Sequence, residues 1–243
     1  MSRVVWHDIE CGRYREDLSL WLGLAAELAG SGPVLDVGSG TGRVSVALAR
    51  GGHPVVALDL DRDLLAALES RATGLPVQVV CADARSFTIP GAAFPLIIVP
   101  MQTIQLLGGA DGHRAFLQRA RAHLAQGGAI AVAIAATEDF EEFEYRDGDL
   151  APLPDIAEID GRAYFSQPTA VRRVGDAFRL ERRREIVEPD GARSSEEDRI
   201  TLDIVSAEGL ARTAAEVGLG LRSRRRVAAT AEHIGSEVVI LGA

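Results

Sequence analysis

Three segments in the first third of the chain carry residue types and spacings suited to holding a nucleoside. The first is Val34-Leu-Asp-Val-Gly-Ser-Gly-Thr-Gly-Arg43. Gly38, Gly40 and Gly42 follow an apolar run and open a stretch with helical spacing. Without Cβ atoms the backbone can turn sharply and let a ligand approach closely. The helix beyond offers unpaired amide hydrogens at its start. Asp36 ends the run, and its carboxylate can either fix the loop or reach an ammonium group on the ligand. The second segment is Val56-Ala-Leu-Asp59-Leu60-Asp61. An acid where Asp59 stands can accept hydrogen bonds from a ribose diol. Leu60 can cover one face of an adenine, while Asp61 is the better N-cap for the helix that follows. The third is Val80-Cys-Ala-Asp83-Ala84. Here a carboxylate can accept from an adenine amino group, and the Ala84 amide can donate to a ring nitrogen.

These residues need a sheet to hold them in register. Apolar runs at Pro33–Val37, Pro54–Leu58, Val77–Cys81, Phe94–Val99 and Ala129–Ala135 alternate with helical stretches at Arg43–Arg50, Asp61–Arg71 and His113–Leu124. A further helical stretch, Arg13 to Ala29, precedes the first run. Short, fully apolar runs separated by helices read as a parallel sheet covered on both faces. Right-handed crossovers make such a sheet doubly wound. The rhythm breaks after residue 137. Thr137 to Leu153 is acidic and is closed by Pro152 and Pro154, and Arg162 to Ile204 alternates like strands around the Pro189-Asp190-Gly191 turn. A helix at Ala207–Val217 and strands near Leu221–Val227 and Glu237–Leu241 then resume the α/β pattern. The expected division is a domain of residues 1–136 and 206–243, with residues 137–205 inserted as antiparallel β structure.

The three motifs together resemble the class I S-adenosylmethionine-dependent methyltransferases. Phe94-Pro-Leu-Ile-Ile-Val-Pro-Met101 is similar to that family's fourth strand, and Leu124-Ala-Gln-Gly-Gly128 to its corner into the fifth. The resemblance covers residues 12–136 and 206–243. It implies a seven-stranded, mostly parallel sheet with an antiparallel last strand, and S-adenosyl-L-methionine as cofactor. By position, Gly38, Gly40 and Gly42 face the amino-acid end of the cofactor, Asp59 the ribose, and Asp83 and Ala84 the adenine. A dehydrogenase fingerprint would need a small residue where Arg43 stands. The fourth strand runs into Val99-Pro100-Met101-Gln102 instead of the Asn/Asp-Pro-Pro-Tyr type used on nucleobases and protein amides. That departure argues against DNA. The following Thr103-Ile-Gln105-Leu-Leu looks like small-molecule methyltransferases, including those acting on nitrogen of glycine and amino sugars.

The acceptor is expected beyond the carboxyl ends of the strands. Met101 and Gln105 follow the fourth strand there, although Gln105 can instead cap a helix. The loop 228–235 reaches the same rim with His233, the candidate base for an oxygen acceptor; the bland alternative is a solvated loop histidine. Tyr14 is either a cofactor contact or part of a lid formed by the N-terminal segment, and Trp21 reads as core. The insertion, with Tyr164, Phe165 and Arg172, is expected to cap the acceptor pocket; the alternative is a flap or dimerisation arm. His7, His53 and His113 have no partner at metal-ligand spacing and read as surface residues. Neither Cys11 nor Cys81 belongs to a disulfide or zinc pattern.

The net charge is −9 and all 26 cations are arginines. Such a chain repels a phosphate backbone unless it gathers a basic patch. The densest runs, Arg182–Arg184 and Arg222–Arg226, lie on strand-like stretches and read as solvated faces, the alternative being an anionic-substrate site. The balance therefore weighs against RNA. With no signal peptide and no apolar span, a cytoplasmic enzyme acting on a small molecule is expected. RNA or protein methylation, or cofactor binding without catalysis, are the other readings.

Overall fold

The computed structural model describes residues 2–135, 142–144, 152–230 and 233–243. The chain opens with α1 (Ser2–Glu10) and α2 (Leu18–Leu28). It then alternates β1 (Val34–Val37), α3 (Arg43–Arg50), β2 (Val55–Asp59), α4 (Arg62–Arg71), β3 (Val77–Cys81) and β4 (Phe94–Val99). A 3₁₀ turn (Thr103–Leu106) leads to α5 (Gly109–Ala122) and β5 (Leu124–Ala135). The second part holds β6 (Phe143–Glu144), β7 (Asp155–Ile159), β8 (Arg162–Val174), β9 (Ala177–Val187) and β10 (Arg193–Asp203). The chain closes with α6 (Ala207–Glu216), β11 (Gly220–Val227) and β12 (Ser236–Gly242).

The main sheet has seven strands in the order β11-β12-β5-β4-β1-β2-β3. The contacts among β1 to β5 are parallel, and β12 runs antiparallel to both β5 and β11. The period of two along each strand divides the core between two faces. Leu35, Val37, Ile97, Val99, Ile130 and Val132 pack against α5 and α6 through Phe116, Leu117 and Leu210. Val34, Leu96, Ile98, Ala129 and Ala131 pack on the other face against Trp21 and Leu24 of α2 and Leu48 of α3. This is the doubly wound sheet expected, with the antiparallel insertion following β5. Asp61 caps α4, accepting from the Asp63 and Leu64 amides. The acidic stretch 137–151 falls largely on residues outside those described.

The insertion forms a second antiparallel sheet, β10-β9-β8-β6, with β7 also on β8. Gly175-Asp176 turns β8 into β9, and the Pro189-Asp190-Gly191 turn joins β9 to β10. Several local expectations need correction. The helix expected over Arg13–Ala29 spans Leu18–Leu28, and an unanticipated helix, α1 (Ser2–Glu10), precedes it. Strand β5 begins at Leu124, so the Gly127-Gly128 pair lies inside it, at a register shift against β4. Gln105 is 1% exposed. Its Nε2 donates to the Asp203 carbonyl (2.9 Å) and its Oε1 accepts from the Ala135 amide (2.8 Å). One side chain thus pins the residues that enter and leave the insertion. His113, expected at the surface, is buried with its Nε2 3.2 Å from Asp203 Oδ2.

Removing the Gln105 bridge orphans a buried amide and a carbonyl. Gln105→Leu should lower stability by about 2–4 kcal/mol, since each unsatisfied buried group costs about 1–3 kcal/mol. Urea unfolding measures this, and an unchanged midpoint would show that the bridge carries no weight.

Candidate functional site

The glycine turn, Asp59, Asp83 and Met101 all stand at the carboxyl ends of parallel strands, on one rim. Gly38, Gly40 and Gly42 have φ of 73°, 53° and 93°, a region that side-chain-bearing residues enter at a cost. Space adds to the demand. A Cβ on Gly38 would lie 2.4 Å from the Thr103 side chain, and one on Gly40 would lie 2.3 Å from His7 Nε2. Met101, just past β4, is itself held at φ 53°. For a methionine this conformation is a strained one, of the kind that gathers at functional sites.

Asp36 sits under the turn and is 1% exposed. Its Oδ2 accepts from Ser45 Oγ at 2.6 Å, while its Oδ1 has no partner among the described residues. Burial raises its carboxyl to about 6, against the smaller opposing pulls of Ser45 and Arg43. Ser39 Oγ, in the turn itself, is likewise buried and unpaired among the described residues. Asp59 holds the turn from the other side: its Oδ2 accepts from the Gly40 amide (2.8 Å) and its Oδ1 from the Asp61 amide (2.9 Å). Leu60 beside it is 68% exposed. Asp83 is engaged by Arg85, with Nη2 to Oδ2 at 2.6 Å, and this pairing holds its carboxyl below the usual range. Ala84 turns its side chain into the core.

Helix α1 lies across the turn. Asp8 accepts from Thr41 Oγ1 (2.7 Å) and from both ends of the Arg71 guanidinium (2.8 and 2.5 Å). Arg3 reaches Asp61 at 2.7 Å. The other side of α1 meets the second sheet. Glu10 accepts from Ser166 Oγ (2.7 Å) and from Arg184 Nε and Nη2 (both 2.8 Å), and lies 3.0 Å from Arg182 Nη1. The Trp6 and Tyr164 rings pack edge to face at 5.3 Å. Arg182 and Arg184 therefore face α1 and not solvent, which corrects the expectation for that run. Arg183 between them is exposed, as strand alternation requires. In the other run Arg222, Arg224, Arg225 and Arg226 are exposed.

After α1 the chain turns past Tyr14. Asp17 is a buried partner of Arg43, which also donates to the Tyr14 carbonyl (3.1 Å) and stacks on the Tyr14 ring (5.1 Å). Trp21 donates to Asp17 at 2.8 Å and is core, as expected. The Tyr14 ring packs against His233 at 4.9 Å. Tyr14 Oη and His233 Nδ1 are both buried without a hydrogen-bond partner among the described residues, and Glu16 Oε1 is 3.9 Å from that Nδ1. Burial pushes the Tyr14 phenol up to about 12. The structure thus brings together Asp36, the glycines, Asp59, Leu60 and Met101 on one side, and Tyr14 and His233 on the other. Gln105 is drawn into the joint with the insertion, and residues 231–232 of the rim loop lie outside those described. Among the described residues no group of three His, Cys, Asp or Glu is placed to hold a metal. No helix there is long and apolar enough to cross a membrane.

These groups lie beyond the strand ends, where doubly wound proteins bind their ligands. Comparison with known proteins narrows the class. Residues 34–128 match the family model described as a methyltransferase domain. The Cypemycin N-terminal methyltransferase of a Streptomyces species is 35% identical over 116 residues, 48% of this chain and 46% of that protein. The chain therefore spans about half the length of that relative. An amino pentose methyltransferase from Micromonospora echinaspora superposes with a TM-score of 0.71 at 22% identity, over 97% of this chain and 96% of that one. A sugar N-methyltransferase from Streptoalloteichus does so with a TM-score of 0.73 at 18% identity, over 99% and 92%. Over residues 34–128 the chain is similar to the methyltransferase domain family, and over nearly its whole length it shares the fold of S-adenosylmethionine-dependent methyltransferases. The donor of that family carries an ammonium group. The two orphaned oxygens of Asp36 and Ser39 at the base of a Cβ-free turn fit such a cation.

A folded-state carboxyl raised to about 6 binds protons that the unfolded chain releases above about 4. Asp36 therefore weakens the cofactor-free fold at neutral pH, and the loss fades as pH falls through 6. Asp36→Asn should raise the stability of the cofactor-free protein at pH 7.5 by on the order of 1–3 kcal/mol, flatten its pH dependence between 6 and 4, and weaken donor binding. Denaturant titrations at several pH values, paired with calorimetry, check all three. A variant less stable at pH 7.5 would contradict the assignment.

Proposed function

We propose that this chain transfers the methyl group of S-adenosyl-L-methionine to a nitrogen or oxygen of a small-molecule acceptor, with nitrogen favoured. The observation that carries the reading is the pair of orphaned polar groups on each side of one rim. Asp36 Oδ1 and Ser39 Oγ await a cation at the glycine turn, and Tyr14 Oη and His233 Nδ1 await a second polar molecule beside it. The names of the relatives, an amino pentose, a sugar N- and an N-terminal methyltransferase, support a nitrogen acceptor. The last of these favours a peptide amine as the second reading.

In this proposal Asp36 receives the ammonium of the donor, and Gly38, Gly40 and Gly42 let its amino-acid end lie against the backbone. Asp59 accepts from the ribose diol with the lone pairs left by its two amide bonds. Leu60 covers the adenine, and Asp83 with the Ala84 amide reads its edge, Asp83 sharing its carboxylate with Arg85. Met101 borders the transferred methyl. When bound, S-adenosyl-L-methionine supplies a methyl group already activated on a sulfonium. The protein then has to align the acceptor and exclude water. Helix α1 and the second sheet serve that end, with residues 137–205 acting as the acceptor cap and 1–136 with 206–243 as the donor domain. Tyr14 stays protonated and orients the acceptor by hydrogen bonding. His233 takes the acceptor proton at Nδ1, with the Glu16 carboxylate 3.9 Å away. Gln105 holds the cap in register.

Incubation with S-adenosyl-L-methionine and a panel of amino sugars, amino acids and short peptides should yield a singly methylated product and S-adenosylhomocysteine by mass spectrometry. His233→Ala should leave donor affinity unchanged and lower kcat/KM by about a hundredfold, the lower end of the effect of a general base. Binding of the donor without turnover of any acceptor would favour a non-catalytic role.

A further inference from the structure

We infer that His7 of helix α1 contacts the bound methyl donor directly, its Nε2 accepting a hydrogen bond from a ribose hydroxyl. The inference rests on the donor reading above.

The ring of His7 lies on the glycine turn. A Cβ at Gly40 would fall 2.3 Å from His7 Nε2 and 2.4 Å from its Cε1. Gly40 in turn donates its amide to Asp59 Oδ2. His7, Gly40 and Asp59 thus meet at the end of β2, where the diol is expected.

The direction of the hydrogen bonds follows from counting protons. Thr41 has one hydroxyl hydrogen, and its 2.7 Å contact to Asp8 Oδ1 takes it, because a carboxylate cannot donate. Thr41 Oγ1 also lies 3.3 Å from His7 Nδ1. In that contact the hydroxyl oxygen must accept, so Nδ1 carries the hydrogen. Neutral imidazole has one N–H, which leaves Nε2 as a bare acceptor turned toward Gly40. The charged groups around the ring are Asp8 and Glu10 on its own helix, Asp59 on β2 and Arg71 on α4. Burial outweighs the pull of the three acids and lowers the imidazole below its ordinary value, which keeps it neutral at physiological pH.

The helix that carries the ring is anchored on both sides. Asp8, its neighbour, is clamped by the Arg71 fork, and Glu10 anchors the end of α1 to Arg182, Arg184 and Ser166. A ribose hydroxyl has a hydrogen to give. Asp59 already uses one lone pair on each oxygen for the backbone, so a second acceptor for the diol is chemically apt.

The test is calorimetry with S-adenosylhomocysteine and its 2′-deoxy and 3′-deoxy analogues on the wild type, His7→Ala and His7→Asn. Asparagine can still donate to Thr41 but has no group at the Nε2 position. Both variants should bind S-adenosylhomocysteine about tenfold more weakly, the scale of one lost hydrogen bond. With one of the two deoxy analogues the deficit should vanish, since the hydroxyl that His7 engages is then absent. Wild-type affinity in both variants would overturn the inference. So would an equal deficit with both analogues, because His7 would then act only by packing the turn. Failure of the wild type itself to bind S-adenosylhomocysteine would instead remove the donor reading.

Discussion

Helix α1 touches the glycine turn with one side and the second sheet with the other. On the turn side the approach exists because Gly40 has no Cβ, so the His7 ring can rest where a side chain would stand. On the sheet side a single carboxylate, Glu10, gathers two guanidinium groups and a serine hydroxyl. Burial raises the cost of that charge, and the Arg184 and Arg182 contacts overcome it, holding the carboxyl below its ordinary range. Removing either arginine would leave a half-buried charge short of partners, an arrangement that costs far more than a surface pair contributes.

The neighbourhood of the turn divides into satisfied and unsatisfied groups. Asp17, buried with Arg43, has every reason to stay in place: it is forked by the guanidinium and bonded by the Trp21 indole. Asp8 is equally well supplied. Asp36, Ser39, Tyr14 and His233 are not, and each keeps a buried polar atom without a partner among the described residues. Native proteins leave few such atoms. Of the five such atoms among the described residues, four belong to groups on this rim, and the fifth, Trp6 Nε1, lies in the core between α1 and the second sheet.

The main sheet is readable in the sequence because its signal is local. Each parallel strand is a short apolar run, and both faces are covered by helices whose periodicity lies within ten or so residues. The registered acids at Asp36, Asp59 and Asp83 follow from the same runs. What escapes is contact between distant segments. Helix α1 is nine residues long and presents only Val5, Trp6 and Ile9 as an apolar stripe, too little to stand out beside its charges. The second sheet that completes its core lies more than 140 residues away. Arg182 and Arg184 look like members of a solvated run because Glu10, the buried partner they share, stands at the other end of the chain; Arg184 also pairs with Asp198 on the adjacent strand. His113 misleads for the same reason, its partner Asp203 being ninety residues on. The α1 stripe and the i, i+2 spacing of the arginines are the available signals.

Strand β10 of the second sheet is largely exposed, and its acids Glu196, Glu197 and Asp198 stand opposite Arg184, Arg183 and Arg182 of β9. Cross-strand charge pairs of this kind contribute only tenths of a kcal/mol to about 1 kcal/mol each. Tyr164, backed by Ala157, Ile159 and Ile186, shares a core with Val5, Trp6 and Ile9 of α1, while Ala170, Phe178 and Leu202 are buried elsewhere in the sheet. Apolar burial stabilises the sheet more than the ladder charges do, so the contact with α1 contributes to it. Helix α1 depends in turn on the glycine turn through Asp8 and His7. A displacement of α1 from the turn therefore loosens the sheet as well, and a ligand that fills the rim and holds α1 down tightens both. Helix α1 and the second sheet share one small hydrophobic core.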